Sequence, residues 1–284
     1  MRQFNPSTDK IEKAVQMKCF DTIFETGGIM EISQDNSVGV VLTREQSTAP
    51  RWCAVVFDPV TYTVLRKIPL WSEPERADAV VISPDNKTAY ILSDFITNTQ
   101  KFSNVYPLDL TTQTLGQAIA VNEPRIQWTV MSPEGSTLFM RANTFPYHLW
   151  TLDTNTQVPT ELVQTELLIS SPRWMVMHPF GHKLYIVYDG PSGTVPMQVI
   201  DTATGTLLST TRPFTDELDN GVKLARRSDP QFTPDGRYMF VMGGATNITV
   251  IDTNDDSVAG RILAFSGPVL SNDLAMGFFY IPLQ

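Results

Sequence analysis

One short turn recurs along this chain roughly every fifty residues, and a period of that size restricts a chain to a few repeat architectures. Its copies are Ser33-Gln34-Asp35-Asn36, Ser83-Pro84-Asp85-Asn86, Ser132-Pro133-Glu134-Gly135, His178-Pro179-Phe180-Gly181, Thr233-Pro234-Asp235-Gly236 and Ser271-Asn272-Asp273-Leu274. Each follows a short apolar run and precedes an alternating one, as in Ala89-Tyr90-Ile91-Leu92. Proline presets φ at the second position, and Asn or Gly tolerates the left-handed region at the fourth, so each copy reads as a hairpin between two strands.

A second hairpin lies between successive copies. Its signature is a strand ending in Asp-x-x-Thr or a near variant: Asp58 to Thr61, Asp109 to Thr112, Asp153 to Thr156, Asp201 to Thr204, and Asp252 to Asp255. The Asp side chain can accept from backbone N–H groups two residues on and so close the turn locally. Two hairpins per unit make four antiparallel strands, the blade of a β-propeller.

After the sixth copy of the first turn the chain ends at 280–284, too soon for a second hairpin. The missing half reads at the other end, where 2–16 looks like two strands around Asn5-Pro6-Ser7-Thr8. The expectation is an all-β fold. It is one domain over 1–284, a six-bladed β-propeller of four-stranded antiparallel blades, closed by pairing N-terminal strands with C-terminal ones so that no edge is exposed. Its units begin near 28, 78, 127, 174, 229 and 267, and 1–17 completes the last blade.

Composition narrows the class. With 42% hydrophobic and 18% charged residues the chain has ample material for a core. A formal charge of −9 argues against a protein that coats nucleic acid or anionic membrane. The sequence shows no apolar stretch of signal-peptide or membrane-span type, so it reads as soluble, cytoplasmic by default, or periplasmic or secreted if a leader has been removed. Two cysteines, Cys19 and Cys53, are too few for a disulfide framework, and their spacing leaves open whether they pair.

The runs Tyr185-Ile186-Val187-Tyr188, Tyr90-Ile91-Leu92-Ser93 and Tyr238-Met239-Phe240-Val241, each following the turn and leading toward Val-Ile-Asp-Thr segments, resemble the YVTN family of β-propeller repeats. The likeness covers most of the chain. It implies a shared scaffold found in surface-layer proteins, dehydrogenase subunits, lactonase-like enzymes and binding proteins, and it selects none of those activities. The chain departs from the family in having six units where seven are commoner, and in having longer units.

A site is expected on the rim opposite the short turns, where the long connections lie. Aligned on the turn proline, Arg76, Arg125 and Arg226 fall eight residues before Pro84, Pro133 and Pro234, and Arg173 falls six before Pro179. Equivalent positions in different blades converge on the channel axis, so these guanidiniums are candidates for a partial basic ring that would hold a carboxylate or phosphate. The alternative is that each pairs with a neighbouring acid such as Glu73, Glu75, Asp78, Glu123 or Asp229. Trp128 and Trp174 follow two of the arginines, and Trp52 follows Arg51. They would either stack a planar ligand or pack between blades.

Common catalytic signatures are missing: no Gly-x-Ser-x-Gly, no phosphate-binding Gly-x-x-x-x-Gly-Lys, no Cys-x-x-Cys-His. His178 and His182 have metal-pair spacing only if helical, and here they flank a hairpin turn, so neither metal nor cofactor is expected. Three functions remain. One is a non-catalytic propeller that binds a protein, a peptide or a small anion at the long-loop rim. Another is a lactonase-, lyase- or isomerase-like enzyme with His148, Asp78 or Asp229 as general base beside the arginines. The third is a platform subunit of a redox or surface assembly, recognisable by apolar outer faces.

Overall fold

A computed structural model describes residues 2–5, 10–14, 19, 25–45, 50–72, 75–97, 101–142, 148–162, 172–188, 194–215, 230–243 and 247–263. Its contacts divide the chain into two compact units, Met1–Glu161 and Leu162–Gln284.

The first unit opens with an antiparallel hairpin, β1 (Arg2–Asn5) and β2 (Lys10–Ala14), matching the two strands expected around 5–8. Three antiparallel sheets follow. The first is β3 (Glu25–Ile32), β4 (Gly39–Glu45), β5 (Arg51–Asp58) and β6 (Thr63–Ser72), in that order. The second runs β7 (Glu75–Ile82), β8 (Thr88–Ile96) and β9 (Lys101–Asp109), and its outer strand is split into β10 (Thr114–Leu115) and β11 (Ile119–Val121), both paired with β9. The third is β12 (Ile126–Met131), β13 (Thr137–Ala142), β14 (Leu149–Asp153) and β15 (Val158–Glu161).

The second unit holds two such sheets. One is β16 (Pro172–Met177), β17 (Lys183–Tyr188), β18 (Thr194–Asp201) and β19 (Leu207–Thr215). The other is β20 (Gln231–Phe232), β21 (Tyr238–Gly243), β22 (Asn247–Asp252) and β23 (Ser257–Leu263). The sixth copy of the turn lies outside the described residues.

Both turn types form for the expected reason. The fourth residue of the first turn, Asn36, Asn86, Gly135, Gly181 or Gly236, has positive φ. The first residue also reaches across it: Ser33, Ser83, Ser132 and Thr233 each accept the backbone N–H five residues on through the side-chain oxygen. In the second turn, Asp58, Asp109, Asp153 and Asp201 accept N–H groups both two and three residues on. For Asp109 and Asp153 these backbone donors are the main cause that holds the carboxyl below its usual range.

Packing follows the period of two. Strand β8 is buried on both faces: Ala89 and Ile91 point into a cluster with Val40, Val56 and Leu108, whereas Tyr90 and Leu92 point into one with Val105, Leu138 and Met140. A middle strand is covered by the sheet on either side, which explains its unbroken apolar run. Complete burial of a residue such as Ile91 or Leu92 contributes about 2–3 kcal/mol. In the second unit Tyr185, Val187, Val199 and Met239 form the corresponding cluster. Cys19 and Cys53 are bonded as a disulfide, which ties the segment before β3 to the middle of β5.

Candidate functional site

In the first unit β7 packs beside both β3 and β12, so the first strands of neighbouring sheets adjoin. These strands share an irregularity. One extra residue interrupts the pairing of β3 at Gly28, of β7 at Asp78 and of β12 at Gln127. Strand β16 of the second unit has the same interruption at Arg173. All four lie six residues before the second position of the turn. Arg173 therefore belongs to the column of Asp78, two residues out of register with Arg76 and Arg125. A bulge of this kind turns a side chain away from the normal alternation.

The bulge at Asp78 lies in the pairing of β7 with β8, and Asp94 of β8 acts on the Asp78 carboxyl, helping it to hold its proton. Asp94 is almost wholly buried and takes a 2.6 Å hydrogen bond from Ser103 Oγ, directly opposite on β9. Ser103 Oγ in turn accepts the N–H of Ile126, the first residue of β12, at 3.3 Å. Arg125 immediately precedes that residue, with φ of 57°, a backbone conformation uncommon outside glycine and asparagine. The relay from Ile126 through Ser103 to Asp94 thus fixes where Arg125 leaves its strand.

Two cations act on Asp78. Arg76 Nη2 lies 3.9 Å from its Oδ1, and Arg125 lowers its proton affinity from the neighbouring sheet. Burial and Asp94 act more strongly the other way, and the Asp78 carboxyl is pushed up to about 7. Both arginines are exposed.

A second group stands beside the first. Glu75 Oε1 accepts from Ser93 Oγ at 2.5 Å, Asn104 Nδ2 at 2.9 Å and the Tyr106 hydroxyl at 2.9 Å. Tyr106 stacks on Trp71 with ring centroids 4.4 Å apart. Burial, reinforced by the hydrogen bond to Glu75, pushes the Tyr106 hydroxyl well above its usual range. Farther along the same segment as Arg125, buried Glu123 places Oε2 2.6 Å from His148 Nδ1, while His148 Nε2 faces Glu161 Oε1 at 4.0 Å. The bend between β11 and β12 therefore serves two places: Glu123 orients His148, and Arg125 acts electrostatically on Asp78.

Of the residues expected from sequence, Arg76 lies 3.9 Å from Asp78, and Arg125 acts on the same carboxyl electrostatically. His148 sits with Glu123. Arg226, Asp229 and the side chain of Arg173 lie outside the described residues. Trp52 is buried and Trp174 is partly buried, each against its own unit's core, which is the packing alternative; Trp128 is half-buried. Asp94, Ser103 and Tyr106 escaped the reading, because nothing local marks a polar residue on a buried strand as part of a relay. The shared column of Gly28, Asp78, Gln127 and Arg173 was the available signal. His178 is buried and structural: Nε2 donates to Gly236 O at 3.0 Å while Nδ1 accepts from Phe180 N–H. Among the described residues no cluster of three or more His, Cys, Asp or Glu is placed to hold a metal ion, and no helix is long and apolar enough to cross a membrane.

No family model matches this sequence, and no curated protein is similar to it. Solved structures are. A functionally unknown protein from Desulfotomaculum acetoxidans DSM 771 superimposes with a TM-score of 0.58 at 17% identity, over 83% of this chain and 71% of its own. A chain of the mitotic checkpoint complex gives 0.60 at 14% identity, over 90% and 73%. TolB from Acinetobacter baumannii gives 0.51 at 14% identity, over 82% of this chain and 53% of its own, so the chain spans about half of TolB. The fold is a β-propeller. Identity this low shows the fold and carries no activity with it.

Proposed function

We propose that this β-propeller is a binding module whose long-loop rim takes a small anionic ligand between Arg76 and Arg125. The observation that carries the reading is that Arg76, 3.9 Å from Asp78, and Arg125, which leads into the neighbouring sheet, both act on the same carboxyl group. Arginine offers planar paired donors to a carboxylate or phosphate. Trp71, stacked on Tyr106 of β9, ends β6 a few residues before Arg76, His148 is held by Glu123 from the bend that carries Arg125, and Trp128 follows the bulge next to Arg125. The remaining arginines, Arg173 and Arg226, would extend the basic lining in the other blades, with Trp174 beside Arg173.

The test is thermal unfolding in the presence of sulfate, succinate and phosphate, with Arg76→Ala/Arg125→Ala alongside. Saturable stabilisation that the double variant loses supports the reading. Equal behaviour of the two proteins with every anion refutes it, and a protein or peptide partner on the rim becomes the remaining form of binding.

A second reading is enzymatic. A carboxyl that titrates at about 7 beside two guanidiniums has the protonation range of a general acid or base. Asp78 would serve as that group in a lactonase-, lyase- or isomerase-like reaction, with the arginines facing developing negative charge; His148, oriented by Glu123, and Asp229 are the other candidates. Turnover of an anion found by the binding screen, abolished by Asp78→Asn, would establish it. The platform reading draws support from exposed apolar residues on outer strands, among them Leu65, Val158, Leu207 and Ile262.

The architecture we propose is the closed ring of six blades in one domain, with β1 and β2 completing the last blade, and membership of the YVTN repeat family. The five four-stranded sheets and the N-terminal hairpin support it. The Cys19–Cys53 bond supports an oxidising compartment.

A further inference from the structure

We infer that Glu75, with the Trp71–Tyr106 stack beside it, forms a second binding site on this chain, one that takes a primary alkylammonium group, whether of a free amine or of a lysine side chain. The site is separate from the anion site proposed above and does not rest on it.

The site lies where the first two sheets of the first unit face each other, since Trp71 of β6 and Tyr106 of β9 both pack against the core cluster those sheets share. Glu75, at the start of β7, reaches across β8 to β9. Its Oε1 accepts from Ser93 Oγ of β8 at 2.5 Å, and from Asn104 Nδ2 and the Tyr106 hydroxyl of β9, each at 2.9 Å. Ser93 and Asn104 stand directly opposite one another and are buried, whereas Glu75, Tyr106 and Trp71 are partly exposed. The buried donors form a floor, and the carboxylate and the two stacked rings, 4.4 Å apart, form the side that solvent reaches.

All three donors are neutral groups, so they orient the carboxylate without cancelling its charge. Burial keeps the Tyr106 hydroxyl protonated, and it remains a donor at neutral pH. Neighbouring Arg76 serves Asp78 instead, with Nη2 3.9 Å from Oδ1, and among the described residues no cation forms an ion pair with Glu75. The donors converge on Oε1, which leaves Oε2 to meet a further donor. An ammonium group brings three N–H donors and a full positive charge, and the electron-rich faces of Trp and Tyr attract the same charge. The formal charge of −9 favours the approach of a cation. A divalent metal fits less well, because it needs several oxygen ligands and the described residues hold no cluster of three or more His, Cys, Asp or Glu for one.

The experiment is titration calorimetry of the intact chain near neutral pH with n-butylammonium chloride, with N-acetyl-lysine amide and, as a neutral match, with 1-butanol. The expected result is saturable binding of an ammonium compound and none of the alcohol. Binding of butylammonium shows that a free amine suffices, and binding of the lysine compound alone points to a lysine side chain of a peptide or protein. Glu75→Gln keeps an acceptor oxygen for the three donors while removing the charge, so it should fold and bind about tenfold or more weakly. Trp71→Leu leaves the hydrogen-bonded group intact and should weaken binding several-fold; if Glu75→Gln fails to fold, this variant decides alone. Arg76→Ala/Arg125→Ala should bind the ammonium compounds no more weakly than wild type, which separates this site from the anion site. Unchanged affinity in Glu75→Gln, equal binding of butanol, or no binding of either ammonium compound up to about 50 mM overturns the inference and leaves the anion reading untouched.

Discussion

His148 Nδ1 lies 2.6 Å from Glu123 Oε2, and the carboxylate is almost removed from solvent. The bend that carries Glu123 also carries Arg125, so this contact steadies the segment that delivers a guanidinium to Asp78. His148→Ala removes a 2.6 Å partner of the buried Glu123 carboxylate and should destabilise the fold by about 1–3 kcal/mol. Glu123→Gln, which keeps an acceptor for an imidazole N–H, should cost less. Urea denaturation of the two variants checks the order, and equal losses would refute the orienting role.

Asp78 gives stability a definite pH dependence. Its carboxyl ionises near 3.8 without the fold's influence and at about 7 in the folded protein, so the native state holds the proton longer. The cost of ionising it in place is absent below the lower value and complete above the higher one. Asp78→Asn never bears that cost. Relative to wild type, the variant should gain about 2 kcal/mol between roughly pH 5 and pH 8, measured by urea unfolding at both. A constant difference would show that Asp78 ionises normally.

In the second unit Lys183 Nζ lies 3.0 Å from Asp256 Oδ1 and donates also to Thr253 O, while the Tyr185 hydroxyl donates to the same carboxylate. This polar latch joins β17 to the turn between β22 and β23. Lys183→Met strands a buried carboxylate and should cost about 3–5 kcal/mol. Adding Asp256→Asn removes the charge and keeps a residue that tolerates the positive φ at that position. The double variant should be the more stable of the two in denaturant.

The Cys19–Cys53 bridge spans 34 residues. Closing a loop of that size restricts the unfolded chain by about 3–4 kcal/mol. Cys19→Ala, or reduction of the native protein, should lower the melting temperature by several degrees, read by scanning calorimetry. Thiol labelling of the denatured, unreduced protein should find no free thiol; two labelled cysteines would refute the bond.

The chain's own residues determined its elements. Proline, Asn and Gly at the turn positions, and Asp at the second hairpin, act through contacts within five residues, so five of the six expected copies are seen as hairpins at their expected places and the sixth lies beyond the described residues. The run Ala89 to Leu92 marked β8 as a strand, but that it is covered on both faces was decided by packing between sheets. The site was legible only in part. Arg76 and Arg125 stood out because they share a repeat position; Arg76 lies 3.9 Å from Asp78, and Arg125 acts on the same carboxyl electrostatically. The bulge at Asp78, the burial of Asp94 beneath Ser103, and the grip of Glu123 on His148 were decided by tertiary structure. Each depends on which strands become neighbours and in what register, and those choices are made by packing between sheets far apart in sequence.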